Sequence, residues 1–299
     1  MTGNPARVSV VVVTAGRPDL LRQTLPTTAA AVNRVRGTEL VIVEQRGQMV
    51  EKLCAELDVG ATVVADPGIG ASRARNIGTA RSGGDVVLYT DDDCMVPESW
   101  VEEHQQALAA SRIVASCGAV EGLTRAPTGD DLTALSRVHG RSAAPWTVGH
   151  GSNIAVRRSV LTLIGGWDER IGPGTRLPAG EDADLIFRLL RQGDIVSGVG
   201  DPVVHVGWRT DMEEARNLRS YELGAGTWIG KALRTEGITK AYPLVGGRLR
   251  LLAERWRMAR TRGDRTETVR GLVGFGAGLV RGYALQKQGP MTNGRPREG

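Results

Sequence analysis

Gly84-Asp-Val-Val-Leu-Tyr-Thr-Asp91-Asp92-Asp93-Cys94-Met-Val-Pro97 is the stretch on which the reading of this chain turns. Val86 to Tyr89 has the length and β-branched content of a buried strand. Three carboxylates follow at once, and Pro97 stops the extended segment. Three like charges at the end of a buried strand repel one another, so something must offset them. A hard divalent cation such as magnesium or manganese, which takes carboxylate oxygens, is one partner for such a run. A solvated acidic turn after a strand is the other reading, and the surrounding sequence has to decide.

Upstream, residues 7–13 form a first buried strand, and Thr14-Ala-Gly16-Arg17-Pro18-Asp19 leads into a helix through Pro18. Leu40 to Val43 reads as a second strand ending in Glu44, residues 50–57 as a helix, and Ala61 to Val64 as a third strand. Asp66-Pro-Gly68-Ile-Gly70-Ala-Ser-Arg73-Ala-Arg75-Asn76-Ile-Gly78 is a glycine loop running into a helix. Its spacing fits neither a P-loop nor a dinucleotide fingerprint. A helix N-terminus with Arg73 and Arg75 suits phosphate; solvated arginines at a helix-entry turn are the alternative. Strands alternating with helices predict a mainly parallel α/β sheet, whose ligands sit at the carboxyl ends of the strands. Thr14, Glu44, Asp66 and Asp91 to Asp93 all fall at such ends.

Downstream, a helix is expected from Trp100 to about Ala110 and a strand near Ile113 to Ala119. Residues 122–148, rich in Pro, Gly, Thr and Asp, read as a mobile loop. The block from Gly149 through Asn153 runs into a helix ending near Ile164, then Gly165-Gly-Trp167-Asp168-Glu169 makes a turn. Glu181-Asp182-Ala-Asp184 opens another helix, where carboxylates suit the dipole and capping is one use for them. Asp184 and Arg188 form an i,i+4 pair. Asp201 to His205 is strand-like.

The chain has 299 residues, 41% of them hydrophobic, enough for a sizeable core. Cys54, Cys94 and Cys117 lie 40 and 23 residues apart, an odd number without metal-type spacing, which suggests reduced thiols in a cytoplasmic protein. No secretory signal and no apolar run long enough to span a membrane is visible. From Arg248 onward, 12 Lys or Arg face 4 Asp or Glu, a balance of +8, whereas residues 1–247 sum to −3. The tail has no nucleic-acid motif. Leu249, Leu252, Ala253 and Trp256 repeat at helical spacing, as do Val269, Leu272, Val273, Gly276, Val280 and Tyr283. The stripe fits a helix lying on the anionic inner face of a cell membrane, or a helical pair packed on the rest of the chain or on another subunit. Its glycines cost about 1 kcal/mol of helix propensity each, so the helix needs a partner or a membrane.

Taken together, the segments resemble the inverting GT-A glycosyltransferases of family 2. The carriers are VSVVVVTAGRPDLL, ELVIVEQ, GIGASRARNIG, VVLYTDDDCMVPESW, GSNIAVRRSVLTLIGGWDER and GEDADLIFRLLRQG, in family order over about residues 7–208. The resemblance implies a GT-A fold, Rossmann-like, with a mainly parallel central sheet flanked by helices. The expected division is a catalytic domain at 1–210, a basic helical extension at 211–287 and a disordered tail at 288–299. It implies that Asp91 and Asp93, with His205, hold Mn2+ or Mg2+ on a nucleotide-sugar donor. It further implies that Thr14, Arg17, Glu44, Arg75, Asn76 and Asp92 shape the nucleotide-sugar pocket. Asn153, Trp167, Asp168 and Glu181 fall on the acceptor side, and Asp182 matches the general base. His205 and Trp167 also have purely structural readings, a lone buried histidine and a packed turn aromatic. Val13, Glu44 and Asp66 depart from commoner family residues and leave the nucleotide base open.

The implied chemistry is sugar transfer from a nucleotide diphosphate to a hydroxyl of a glycan, a lipid-linked or a small-molecule acceptor. A metal-dependent sugar-phosphate nucleotidyltransferase and a non-catalytic nucleotide-binding scaffold are the competing readings. A homo-oligomer is compatible with the sequence; nucleic acid is not expected as a partner.

Overall fold

The first strand, β1 (Val8–Thr14), is buried along its whole length and covered on both faces, which is why its residues are valine-rich rather than alternating. Pro18 at the first helical position and Asp19 in the first turn start α1 (Pro18–Arg34). The alternation continues through β2 (Glu39–Gln45), α2 (Val50–Glu56), β3 (Thr62–Asp66), α3 (Ala71–Arg81) and β4 (Val86–Asp91). Then follow β5 (Cys94–Met95), α4 (Trp100–Ala107), β6 (Ile113–Cys117), β7 (Val120–Gly122) and β8 (Arg137–His139). The remaining elements before the basic region are β9 (Ile154–Arg157), α5 (Arg158–Ile164), α6 (Glu181–Leu189), β10 (Asp194–Ser197) and β11 (Val203–His205). The computed structural model describes residues 6–122, 136–206, 211–286, 288–292 and 295–298.

Eight strands form one sheet in the order β3-β2-β1-β4-β9-β6-β10-β8. β1 is parallel to both neighbours, β2 and β4. The chain winds outward through β2 and β3, then returns to place β4 on the other side of β1. That reversal opens a crevice at the carboxyl ends of β1 and β4, the usual ligand position in such sheets. β9 runs antiparallel between β4 and β6, and β8 is an antiparallel edge. One face packs α1, α2 and α4 through Leu21, Leu25, Leu53 and Trp100. The other packs α3, α5 and α6 through Ala74, Leu161, Leu185 and Leu189.

The basic region contains α7 (Asp211–Glu236), α8 (Ile238–Met258) and α9 (Arg262–Ala284). A third apolar cluster, with Phe187, Trp228, Ile229 and Phe275 among its members, joins α6 to these helices. The glycines that weaken α9 as an isolated helix form its inner face: Gly271, Gly274, Gly278 and Gly282 are buried. A Cβ on Gly278 would lie 2.2 Å from the carbonyl oxygen of Leu223, and one on Gly226 2.2 Å from that of Phe275. The backbones of α7 and α9 therefore approach closely, and α7 is the partner that α9 needs.

Two expectations change. Gln288–Thr292 and Arg295–Glu298, expected within a disordered tail, pair as an antiparallel hairpin, β12 and β13. The sulfur of Met291 sits at Gly166, on the turn after α5, and gives the tail an apolar foothold. Within the loop expected at 122–148, residues 123–135 lie outside the described residues, while Arg137–His139 adds the edge strand β8.

Close helix packing makes a paired test. Gly278→Ala should lower stability by about 1–3 kcal/mol through overpacking. Gly276→Ala, where a Cβ meets nothing within 4 Å, should raise it by about 0.5–1 kcal/mol. Urea denaturation of both variants checks the pair; equal effects would contradict the packing described.

Candidate active site

Strand parity sorts the polar residues at this edge onto the two faces of the sheet. Successive residues of a strand point to opposite faces. Val13, Gln45 and Asp91 therefore point toward α3, while Thr14, Glu44 and Asp92 point the other way. Glu44 is spent locally: its carboxylate accepts the backbone N–H groups of Met49 (3.0 Å) and Val50 (3.3 Å) at the start of α2. The expectation that Glu44 shapes the nucleotide pocket is corrected. Gln45 lines the cleft instead, donating to Asp66 (2.7 Å) and accepting from the Gly70 N–H (3.2 Å).

Asp92 is fully buried. It accepts from Thr14 Oγ1 at 2.5 Å and from two nitrogens of Arg17. Both of its oxygens are taken, so this acid braces the loop after β1. Burial pushes its carboxyl up, and the Thr14 and Arg17 hydrogen bonds only partly reverse that. Arg17 also reaches Asp93 Oδ2 at 2.9 Å and so offsets two of the three acids.

The third acid is tied to β11, distant along the chain. β5 pairs with β11, placing His205 opposite Cys94. Asp93 Oδ1 lies 3.3 Å from His205 Nε2. Ligand atoms of Asp93, Cys94 and His205 all lie within 4.8 Å of one another. Cys94 reaches this group without any sequence signal. Asp91 stands outside it and takes a 2.7 Å ion pair from Arg75 Nη2.

Arg75 is buried, with its guanidinium 4.5 Å above the Trp167 ring centroid. Its Nε and Nη1 have no hydrogen-bond partner among the described residues. Burial opposes its charge, but Asp91, Asp182 and Glu181 outweigh burial and hold it protonated. Glu181 and Asp182 occupy the first turn of α6. Asp182 Oδ1 is buried and has no hydrogen-bond partner among the described residues. A Cβ on Gly151 would fall 2.3 Å from that oxygen, so glycine there gives the carboxylate its space. Burial, then the neighbouring Asp182 charge, pushes the Glu181 carboxyl well above the ordinary range.

These groups share a cleft of about 650 Å³ lined by Thr14, Arg17, Arg75, Asp91, Asp92, Asp93, Glu181, Asp182 and His205. Tyr221, from α7, also reaches it. Besides Glu44, four expected site residues do not. Asn76 clamps the 167 turn by donating to the Trp167 carbonyl and accepting its N–H, both at 2.9 Å. Asn153 is fully buried and accepts from Trp100 Nε1 at 2.8 Å. Trp167 is fully buried and packs edge-on against Tyr89, so it is the packed aromatic and not a sugar platform. Asp168 lies in a buried ion cluster with Arg170 (2.8 Å) and Lys231 (2.6 Å). Burial raises its carboxyl, but Arg170 and Lys231 more than reverse this and hold it well below the usual range.

Lys231, on α7, also meets Asp184 of α6 at 2.5 Å, and Asp184 pairs with Arg188. The cluster ties the helical region to the helix that carries Asp182. Its members lie 47 and 63 residues from Lys231, beyond any local pattern.

A mainly parallel sheet with acids gathered at its switch point is the GT-A arrangement. Solved structures bear this out at the level of fold. One is the mannosyltransferase PcManGT from Pyrobaculum calidifontis in complex with GDP-Man and Mn2+, with a TM-score of 0.61 and 18% identity, covering 94% of this chain and 88% of that one. Another is S. aureus TarS 1–349 in complex with UDP-GlcNAc, with a TM-score of 0.65 and 11% identity, covering 91% and 81%. No curated protein sequence matches the chain. The glycosyl transferase family 2 profile matches residues 9–161, and the chain belongs to that family. The matched span ends before Asp182 and His205.

Two expected outcomes follow from the charges. Lys231→Met removes one cation from two buried carboxylates, which keep Arg170 and Arg188, and should cost about 1.5–3 kcal/mol in urea denaturation. Glu181 keeps its proton in the folded chain at pH values where the unfolded chain has lost it. Its contribution to stability therefore falls as pH rises above the ordinary carboxylate range. Glu181→Gln should melt like the wild type near about pH 4 and increasingly above it as pH rises through neutrality. A constant difference across the series would contradict the raised carboxyl.

Proposed function

We propose that this chain is an inverting, metal-assisted glycosyltransferase that moves a sugar from a nucleotide-diphosphate donor to an acceptor hydroxyl. The observation that carries the reading is the unpartnered Asp182 oxygen, held in the same cleft as Asp91, Asp93 and His205. A carboxylate left unpaired costs free energy unless a ligand uses it. As the acceptor oxygen attacks the anomeric carbon, Asp182 takes its proton. The bond to the diphosphate breaks on the opposite side, and its electron pair leaves with the diphosphate. One displacement inverts the anomeric centre.

Asp93 and His205, beside Cys94, are the residues that would hold the cation, and Asp91 would join them by giving up its pair with Arg75. The close approach of Asp93 and His205 and the carboxylate-imidazole donor set fit a divalent ion, with the imidazole favouring Mn2+ over Mg2+. When bound, the ion supplies Lewis-acid neutralisation of the charge growing on the diphosphate. Arg75, kept cationic beside Asp91 and Asp182, lies at the same place and can follow that charge. Arg17 and Thr14 fix the loop against which the nucleotide would lie. Glu181, held protonated by burial and by the neighbouring Asp182 charge, can donate a hydrogen bond to the acceptor. The GDP-Man and UDP-GlcNAc of the two similar structures support a nucleotide-diphosphate sugar as donor. The three free cysteines fit a reducing, cytoplasmic setting. Nucleotidyl transfer and a passive scaffold both leave Asp182 without a task.

Asp182→Asn should retain donor binding, read as a donor-dependent rise in melting temperature with Mn2+, while transfer falls by about 10²–10⁴-fold. Turnover near the wild-type rate in this variant would remove Asp182 as the base. Product of retained anomeric configuration by NMR would remove single displacement.

A further inference from the structure

The helix α9 is built the wrong way round for a helix in water. Its inner face, against α7, is mostly glycine, with Phe275 the one large apolar residue buried there. Its outer face carries Val269, Leu272, Val273, Val280 and Tyr283, all exposed, with Val280 at 73%. These positions fall on one line along the helix, with Gly276 between Val273 and Val280. A contiguous apolar stripe of this kind marks a contact surface rather than ordinary scatter.

Charge identifies what covers it. Between residues 248 and 284 there are nine arginines against three acids. Arg248 is tied to Glu222 and Arg270 to Glu267. Arg257, Arg260, Arg262 and Arg281 make no ion pair among the described residues. Arg262 and Arg265 lie two turns and one turn before Val269, on the line of the stripe. Arg265 sits 5.6 Å from the ring of Trp256, itself half-exposed at the end of α8. Apolar side chains in a row, an aromatic at either end and arginines along the margin suit the boundary between acyl chains and anionic headgroups. A second copy of the chain would bring two faces of like charge together. No helix among the described residues is long and apolar enough to cross a membrane, so the contact is one of surface seating.

We propose that the outer face of α9, with Trp256 at one end, docks the protein on an anionic lipid bilayer. The docking does not depend on the chemistry proposed for the cleft, since none of these residues lines it. The test is co-sedimentation of the full chain with phosphatidylcholine vesicles, with and without about one-third phosphatidylglycerol. The wild type should sediment with the anionic vesicles, at least about tenfold more tightly than with neutral ones, and should be released by high salt. The double variant Leu272→Asp, Val280→Asp should bind about tenfold or more weakly. Both side chains are exposed, so its melting temperature should match the wild type. No binding by the wild type, or equal binding to neutral vesicles, overturns the proposal. So does undiminished binding by a folded double variant. A wild-type dimer that the same variant converts to monomer, without vesicle binding, gives the face to a second copy and overturns it too.

Discussion

The site rests on two arginines set among carboxylates that would otherwise repel. Arg17 spans Asp92 and Asp93 from the loop after β1, and Arg75 faces Asp91 from α3. Without them, the sheet would end in unpaired negative charges drawn partly out of water. The two pairings differ in kind. Asp92 has both oxygens engaged and is structural, whereas Arg75 keeps two nitrogens without partners among the described residues while surrounded by Asp91, Asp182 and Glu181. An arginine in that position offsets the resting charge of the cleft and remains able to meet an incoming anion.

A second constraint is the buried cluster of Lys231, Asp168, Asp184, Arg170 and Arg188. Buried charges of this kind contribute little net stability compared with apolar packing, but they demand one geometry. Here the geometry links α7 to α6 two residues beyond Asp182. The helical region is thereby tied to the cleft rather than a loose attachment. Tyr221, on the same helix, reaches the cleft directly.

The close α7–α9 packing also explains the outer face of the molecule. Glycine on the inside lets two backbones meet around Phe275, and the valines, Leu272 and Tyr283 of α9 face outward. A helix with leucine and valine inward would be ordinary. This one has its burial supplied by backbone contact, and its side chains are left for another surface.

The sequence by itself determined what depends on neighbours along the chain. Valine-rich runs covered on both faces, the Pro18 helix start, the Asp91 to Asp93 run at a strand end and the Glu181-Asp182 helix opening were legible because strand length, helix entry and charge are local properties. From them followed the α/β class and most of the acids that share the cleft. Only the tertiary structure decided direction and partnership. Glu44 and Gln45 are adjacent and both polar, yet parity sends one to cap α2 and the other to the cleft. Asn76, Asn153, Trp167 and Asp168 have the composition of a binding site and are buried as structural clamps, because polarity in a sequence does not say whether a group faces ligand or protein. Lys231, Cys94 and Tyr221 were invisible for a simpler reason: their partners are brought close by packing across the fold, and no spacing along the chain encodes that.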